Sequence, residues 1–350
     1  MVQSLIMGVD IGHHSIKAVV LKPSAGKYTL FGYKEIRVTD DIFADNHAVV
    51  YQKIVKKLKE LKKGLPLFSQ KVVIAIPDNT VISKILQIDS ELEANEREFA
   101  IHQAFSHQSP FAMEDVNLDF VPIIKQPSAD GSLSKNNIAA YQVYATKREV
   151  VESRVLAVEK AGLKPVLAEV QSHALVRLWQ LSSQKYAKAD WLLVDIGHSQ
   201  TTLCLDFVNK PPFYKQIAAG VASISIQARS ESALPIKDDV DGLAEKIAKQ
   251  IQLFISVNGP ASLTGIWLTG GGANIEALQN ALIQKTALMC DVLDPFSLFS
   301  HKPSFFNYKP SFFNYKSSQR HRCEVPVSTF ATAAGLALSG INWLGGGHAV

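Results

Sequence analysis

The stretch Val9-Asp10-Ile11-Gly12-His13 occurs a second time, letter for letter, as Val194-Asp195-Ile196-Gly197-His198. Each copy follows one apolar, β-prone run and precedes another: Ile16 to Leu21 in the first case, Thr201 to Val208 in the second. The pattern predicts strand, tight turn, strand. Such a turn aims successive backbone N–H groups into one concavity, which binds phosphate oxygens without needing a particular side chain. Gly12 and Gly197 permit close backbone approach. Ser15, Ser199 and Thr201 can add hydroxyl donors, and His13, His14, His198 and Gln200 further polar groups in the turns. Lys17 can place a positive charge near the phosphates. Asp10 and Asp195 stand at strand ends, where carboxylates can hold a hydrated Mg²⁺. A third glycine turn, Gly270-Gly271-Gly272, follows the apolar run Gly265 to Thr269 and could lie against a nucleoside. One Asp-x-Gly turn is an ordinary hairpin. Two identical copies and a later glycine triplet predict a nucleotide site that clamps a triphosphate from two sides, with Mg²⁺. The adjacent pair His13-His14 does not predict a metal site, because neighbouring side chains on a strand or turn diverge.

The elements that must position these turns are legible in outline. Ile54, Leu58, Leu61 and Leu65 recur at helical spacing, and Lys71 to Ile76 reads as a buried strand stopped by Pro77. Val81 to Ile88 reads as a strand, Asp89 to Phe105 as a helix with an acidic start, and Val116 to Ile124 as a further apolar stretch. Gln126 to Asn137 is rich in loop residues. Tyr141 to Ala145 reads as a strand, Val150 to Ala161 as a helix ended by Gly162, Val166 to Val170 as a strand and Ser172 to Leu181 as a helix. After the second turn, helices are expected at Gly220 to Arg229, Leu243 to Val257, Ile275 to Gln284 and Thr329 to Leu338. A repeated strand–turn–strand half a chain apart implies two lobes built from one ancestral fold.

Composition bounds the function classes. The 350 residues are 47% hydrophobic and 19% charged, long enough for two cores, and the formal charge of +4 is too mild to indicate nucleic acid. Cys204, Cys290 and Cys323 lack metal-ligand spacing and read as reduced thiols of a cytosolic protein. The opening residues show no secretory signal, and no stretch approaches the ~20 apolar residues that span a bilayer, so any membrane association is expected to be peripheral or through a partner. Six lysines between Lys53 and Lys63 read as the solvated face of the helix packed by Ile54, Leu58 and Leu61. PSFFNYK, written twice over Pro303 to Lys316, reads as a duplication that lengthens a surface loop.

The order of the three glycine turns resembles that of the superfamily of actin, hexokinase and the division protein FtsA. Within it, nearly the whole chain is similar to the PilM family of type IV pilus assembly proteins. The resemblance is carried by GVDIGHHSIKAVVL, VVIAIPDNTVISKILQI, Pro110 to Phe120, YATKREVVESRVLAVEKAGLKP, VDIGHSQTTL, LTGGGANI and FATAAGLAL. It implies an α/β, actin-like two-lobed fold of two ribonuclease-H-like halves, with a small α+β subdomain inserted in the first lobe. The expected organisation is residues 1–78 and 141–185 for the first lobe and 79–140 for the insertion. Residues 186–340 form the second lobe, whose last helix returns to the first, and 341–350 a tail. It further implies a cytoplasmic ATP-binding protein that grips the N-terminal cytoplasmic tail of the membrane protein PilN at the insertion. That would place it on the pilus inner-membrane platform, near the motor ATPases. In AEVQSHALVR, Gln171 falls where this superfamily carries an acidic residue that positions water, which predicts weak or absent hydrolysis. The alternatives within the superfamily are a small-molecule kinase, for which the sequence identifies neither an aspartate base nor a sugar pocket, and a self-polymerising filament.

Overall fold

The computed structural model describes residues 4–24, 26–38, 42–44, 47–66, 68–123, 137–207, 210–229, 232–301 and 326–346. Cys323, the duplicated PSFFNYK segment and nearly all of the expected loop from Gln126 lie outside them. The chain begins with β1 (Ile6–Ile11), β2 (Ser15–Ser24), β3 (Lys27–Arg37), α1 (Tyr51–Lys63) and β4 (Lys71–Ile76). A small unit follows: β5 (Val81–Asp89), α2 (Ala94–Ser106), β6 (Val116–Ile123) and β7 (Ile138–Lys147). Next come α3 (Arg148–Lys160), β8 (Lys164–Val170) and α4 (Gln171–Tyr186). The second lobe holds β9 (Trp191–Ile196), β10 (Thr201–Leu205), β11 (Phe213–Ile217), β12 (Ile226–Arg229) and β13 (Ser232–Pro235). It continues with α5 (Lys237–Asn258), β14 (Gly265–Thr269), α6 (Glu276–Thr286) and β15 (Met289–Val292), after which β16 (Ser300–His301) and α7 (Ala331–Leu344) return to the first lobe.

The repeat in sequence is a repeat in topology. One sheet runs β16-β3-β2-β1-β4-β8 and the other β11-β10-β9-β14-β15. Leaving aside the two-residue edge strand β16, both place an antiparallel meander beside two parallel strands in the same order. The central parallel strands β4 and β14 read as continuous apolar runs because both faces are covered. In the first lobe one face packs on α1 and α3 through Ile54, Leu58, Leu61, Ala157 and Val158. The other face joins a core shared with α4, α7 and the second sheet.

Helix α7 returns the chain to the first lobe, where it packs on β1, β2, β4 and α4. With the short turn before it, Val327–Leu344 is apolar and long enough to cross a membrane by composition, contrary to the sequence expectation, yet 72% of it is buried inside the protein. Its small residues explain the fit. A Cβ on Gly335 would lie 2.0 Å from the carbonyl oxygen of Ala174 in α4, and one on Gly8 in β1 2.0 Å from that of Ala333. Such approach is open only to glycine, so α7 lies between β1 and α4 as a core helix. It also runs to Leu344, past the expected tail boundary at 341.

Three expectations are revised. Strand β7 pairs with β5 from Ile138 to Thr146 and with β6 from Ala140 to Lys147, so the small sheet extends past the expected boundary at 140. The helix expected from Asp89 begins at Ala94: β5 continues through Asp89, and Glu93 and Glu96 form a reciprocal capping box at the helix start. The expected helix at Gly220 to Arg229 is instead a single turn, Val221–Ser223, followed by β12. There the backbone turns onto the second glycine loop: Val221 N–H donates to Gly197 O at 3.0 Å and Ala222 N–H to His198 O at 2.8 Å. The first amides of a helix have no partner within it, so these bonds anchor the turn, and the chain then leaves it to pair as β12 with β13.

Candidate functional site

The two repeated turns have the same internal bond. Gly12 N–H donates to Ser15 O at 3.1 Å, and Gly197 N–H to Gln200 O at 2.9 Å. The strand register behind each is also the same, with Asp10 opposite Lys17 and Asp195 opposite Thr202. The turns approach one another: the rings of His14 and His198 stack with centroids 5.3 Å apart. His13 points elsewhere and packs on Phe43, centroids 4.4 Å apart. Gln171, the first residue of α4, connects the lobes. Its Nε2 donates to Asp10 Oδ1 at 3.3 Å, and its Oε1 accepts from Gln200 Nε2 at 3.3 Å.

The glycine triplet closes the same region. Gly270 has φ +82°, and a Cβ there would lie 2.4 Å from Ile196 O. Gly270 also exchanges bonds with Ser328, donating its N–H to Ser328 O at 3.0 Å and accepting from Ser328 Oγ at 3.2 Å. A Cβ on Gly272 would strike Ile196 Cγ2 at 2.3 Å, whereas one on Gly271 would meet nothing within 4 Å. Gly270 and Gly272 thus hold the turn against β9, and Gly271 presents bare backbone.

Electrostatics fit a cation between the lobes. Burial raises the carboxyl pKa of Asp10, against the opposing pull of Lys17 and the Gln171 hydrogen bond. Burial pushes Asp195 up to about 6, reduced by the Thr269 Oγ1 hydrogen bond at 2.8 Å and raised by the charges of Asp10 and Asp78. Two carboxylates that repel each other and are short of solvent gain from a divalent ion. Lys17 stands 3.9 Å from Glu35, between that carboxylate and Asp10. Among the described residues no three acidic, His or Cys side chains cluster as a metal site, so an ion here would keep most of its water.

Two expected hydroxyl donors are not available in this conformation. Thr201 Oγ1 donates to Ala219 O at 2.8 Å, and Ser15 Oγ is buried beneath its turn without a hydrogen-bond partner among the described residues. Ser199 and His198 are exposed at the second turn, as are His13 and His14 at the first.

Sequence reasoning missed Asp78. A cavity of about 170 Å³ lies between Asp78 and Ser172 of the first lobe, Tyr144 of the small unit, and Thr202, Tyr214 and Gln216 of the second lobe. Asp78 Oδ1 accepts from Ser172 N–H at 3.2 Å, and burial raises its pKa. Asp78 Oδ2, Ser172 Oγ and Gln216 Nε2 are buried without hydrogen-bond partners among the described residues. One signal was available: Pro77-Asp78 follows directly on the carboxyl end of a parallel strand, where α/β sheets place ligands.

Among solved structures, a PilM–PilN type IV pilus biogenesis complex matches with a TM-score of 0.70 and 20% identity, covering 97% of this chain and 99% of that one. The ethanolamine utilization protein EutJ from Carboxydothermus hydrogenoformans gives 0.49 and 14% identity over 97% of this chain and 90% of that one. A protein of unknown function with an actin-like ATPase fold from Bacteroides thetaiotaomicron gives 0.43 and 11% identity over 85% and 95%. The fold is α/β and actin-like, as the resemblance implied. A family model described as type IV pilus assembly protein PilM matches residues 8–213 and 237–340. The chain belongs to the PilM family of type IV pilus assembly proteins.

Proposed function

We propose that the protein binds ATP with Mg²⁺ between its two Asp-Ile-Gly turns, and that it holds the N-terminal cytoplasmic tail of a PilN-type membrane protein at the small unit. The observation that carries the nucleotide reading is the matched pair of turns, with one internal bond and one register in both lobes, meeting at His14 and His198. With the Gly12 and Gly197 N–H groups closing the turns, the backbone N–H groups of His13 and His14 and of His198 and Ser199 would receive phosphate oxygens, and Gly271 the nucleoside. Asp10 and Asp195 would hold Mg²⁺ through water. The ion would neutralise charge between carboxylates and phosphates. Gln171 can orient a water but is a poor base, so hydrolysis is slow.

The tail reading draws on the solved relative, which pairs PilM with PilN. Here the small unit supplies one wall of the Asp78 cavity, and strands β5 and β6 are the edges of its sheet. An extended tail can bond to such an edge and place a side chain in a pocket. The tail would carry the protein to the cytoplasmic side of the inner membrane, at the pilus assembly platform. ATP tunes that grip only if it favours the tail-competent state. The test is binding of a labelled peptide matching the tail, with residues 79–147 replaced by a short Gly-Ser linker. Loss of peptide binding with a retained Mg-ATP thermal shift is expected; retained peptide affinity would move the docking site elsewhere. The kinase alternative now has an aspartate in a polar cavity, and a sugar panel that yields ADP would favour it.

A further inference from the structure

Helix α1 carries a charge pattern that its own stability does not explain. Its 13 residues include six lysines and one glutamate, with no acid in the first turn. Lys56, Lys59 and Lys63 are exposed and stand three and four residues apart, the spacing at which like charges destabilise a helix. None of the three forms an ion pair among the described residues, although Glu60 is within helical reach of Lys56 and Lys63. The other long exposed helices mix their signs. Helix α5 carries Lys237, Lys246 and Lys249 with Asp238, Asp239, Asp241 and Glu245, and α3 carries Glu149, Glu152 and Glu159 with Arg148 and Lys160. A merely solvated face has no need of one sign.

Two features extend the patch. Lys62 Nζ donates to Gly162 O at 2.6 Å, joining the end of α1 to the turn that exposes Lys160 and Lys164. Just past the helix Phe68 is 85% exposed, and Tyr51 at its start is 40% exposed. Aromatic side chains flanking a lysine row suit the headgroup boundary of a bilayer. The cations on α1 are all lysine, with no arginine. Strongly hydrated point charges on flexible stems suit a diffuse anionic surface, whereas forked, bidentate reading of individual phosphates calls for arginine.

We propose that the outer face of α1, with Phe68 at its end, is a docking surface for an anionic lipid bilayer. The contact is independent of nucleotide and of the partner tail, and it orients the first lobe toward the membrane. Each lysine near such a surface is worth about fivefold in affinity at moderate salt.

The test is co-sedimentation of the full chain with vesicles of phosphatidylserine and phosphatidylcholine, against pure phosphatidylcholine, at low and high salt. Binding to the anionic vesicles alone, lost at high salt, is expected. The triple variant K56E/K59E/K63E should bind ~100-fold more weakly or not at all, and F68S should weaken binding by less. Both should keep the wild-type melting temperature, since these side chains are exposed. No binding by wild type, equal binding to neutral vesicles, or unchanged binding by the triple variant would overturn the proposal. So would salt-sensitive capture of poly-glutamate with no vesicle binding, which would assign the face to an acidic protein.

Discussion

His14 and His198 stack across the interface of the two lobes, centroids 5.3 Å apart and planes 24° apart. The contact joins the two turns that share a sequence motif. Burial and the neighbouring His14 lower the pKa of His198 below its usual 6.5. A histidine lowered in the folded state binds fewer protons there than when unfolded. Its contribution to stability is therefore present above the unfolded pKa and is lost as pH falls from there through the lower folded value.

An anion between the rings reverses this preference, because phosphate favours imidazolium. Mg-ATP affinity is accordingly expected to rise as pH falls from 7.5 to about 6, and the double variant H14A/H198A should flatten that dependence. Isothermal titration at several pH values measures it. A wild-type profile as flat as the variant's would remove the imidazoles from the phosphate site.

The glycine triplet gives a paired prediction. Gly271→Ala places its Cβ in open space, so its melting temperature should stay close to wild type, within about 1 kcal/mol. It should nonetheless lose most of the Mg-ATP thermal shift, which for wild type at 100 times the dissociation constant corresponds to about 2.7 kcal/mol. Gly270→Ala meets both φ +82° and Ile196 O, so it should lower stability without ligand by about 1–3 kcal/mol. An intact Mg-ATP shift in Gly271→Ala would place the nucleoside elsewhere.

Gln171 sets the expectation for turnover. Phosphate release by the wild type should run below about 1 per second. Gln171→Ala removes the bonds to Asp10 and Gln200 and should cost about 1–2 kcal/mol of stability. Gln171→Glu should raise turnover by supplying a base, while crowding Asp10 and lowering the melting temperature at neutral pH. A wild-type rate in the ordinary enzyme range would show that another group, with Glu169 the nearest candidate in sequence, activates water.

Asp195 predicts the pH dependence of the protein free of metal. Its folded pKa of about 6 exceeds the ordinary 3.8, so the native state holds the extra proton between those values. Stability from this group is complete below about pH 4 and falls as pH rises through 6. The carboxylate is partly exposed, which reduces the effect to about 2 kcal/mol. Asp195→Asn should recover that amount at pH 7.5 in chelator, seen by denaturant titration, and should lose the Mg²⁺ dependence of nucleotide binding. A variant less stable than wild type at pH 7.5 in chelator would contradict this reading.

The two Asp-Ile-Gly turns were legible in the chain because everything that makes them is local: β-prone runs, a glycine at the bend, and a cross-turn bond between residues three apart. Duplication then implied two lobes, and the matching strand orders follow from it. The packing faces of α1 and the parallel strands were equally local, written in residue spacing. What tertiary structure decided spans long separations. Gln171 reaches Asp10 across 161 positions, Asp78 meets Ser172 across 94, and Gly8 and Gly335 matter only once α7 lies between β1 and α4. The turn at Val221 is anchored by bonds to Gly197 and His198, each 24 positions earlier. Periodicity records how a segment faces one neighbour. Which polar atoms converge on a cleft depends on how two lobes and an inserted sheet are set against each other, and that is fixed by the packing of all three.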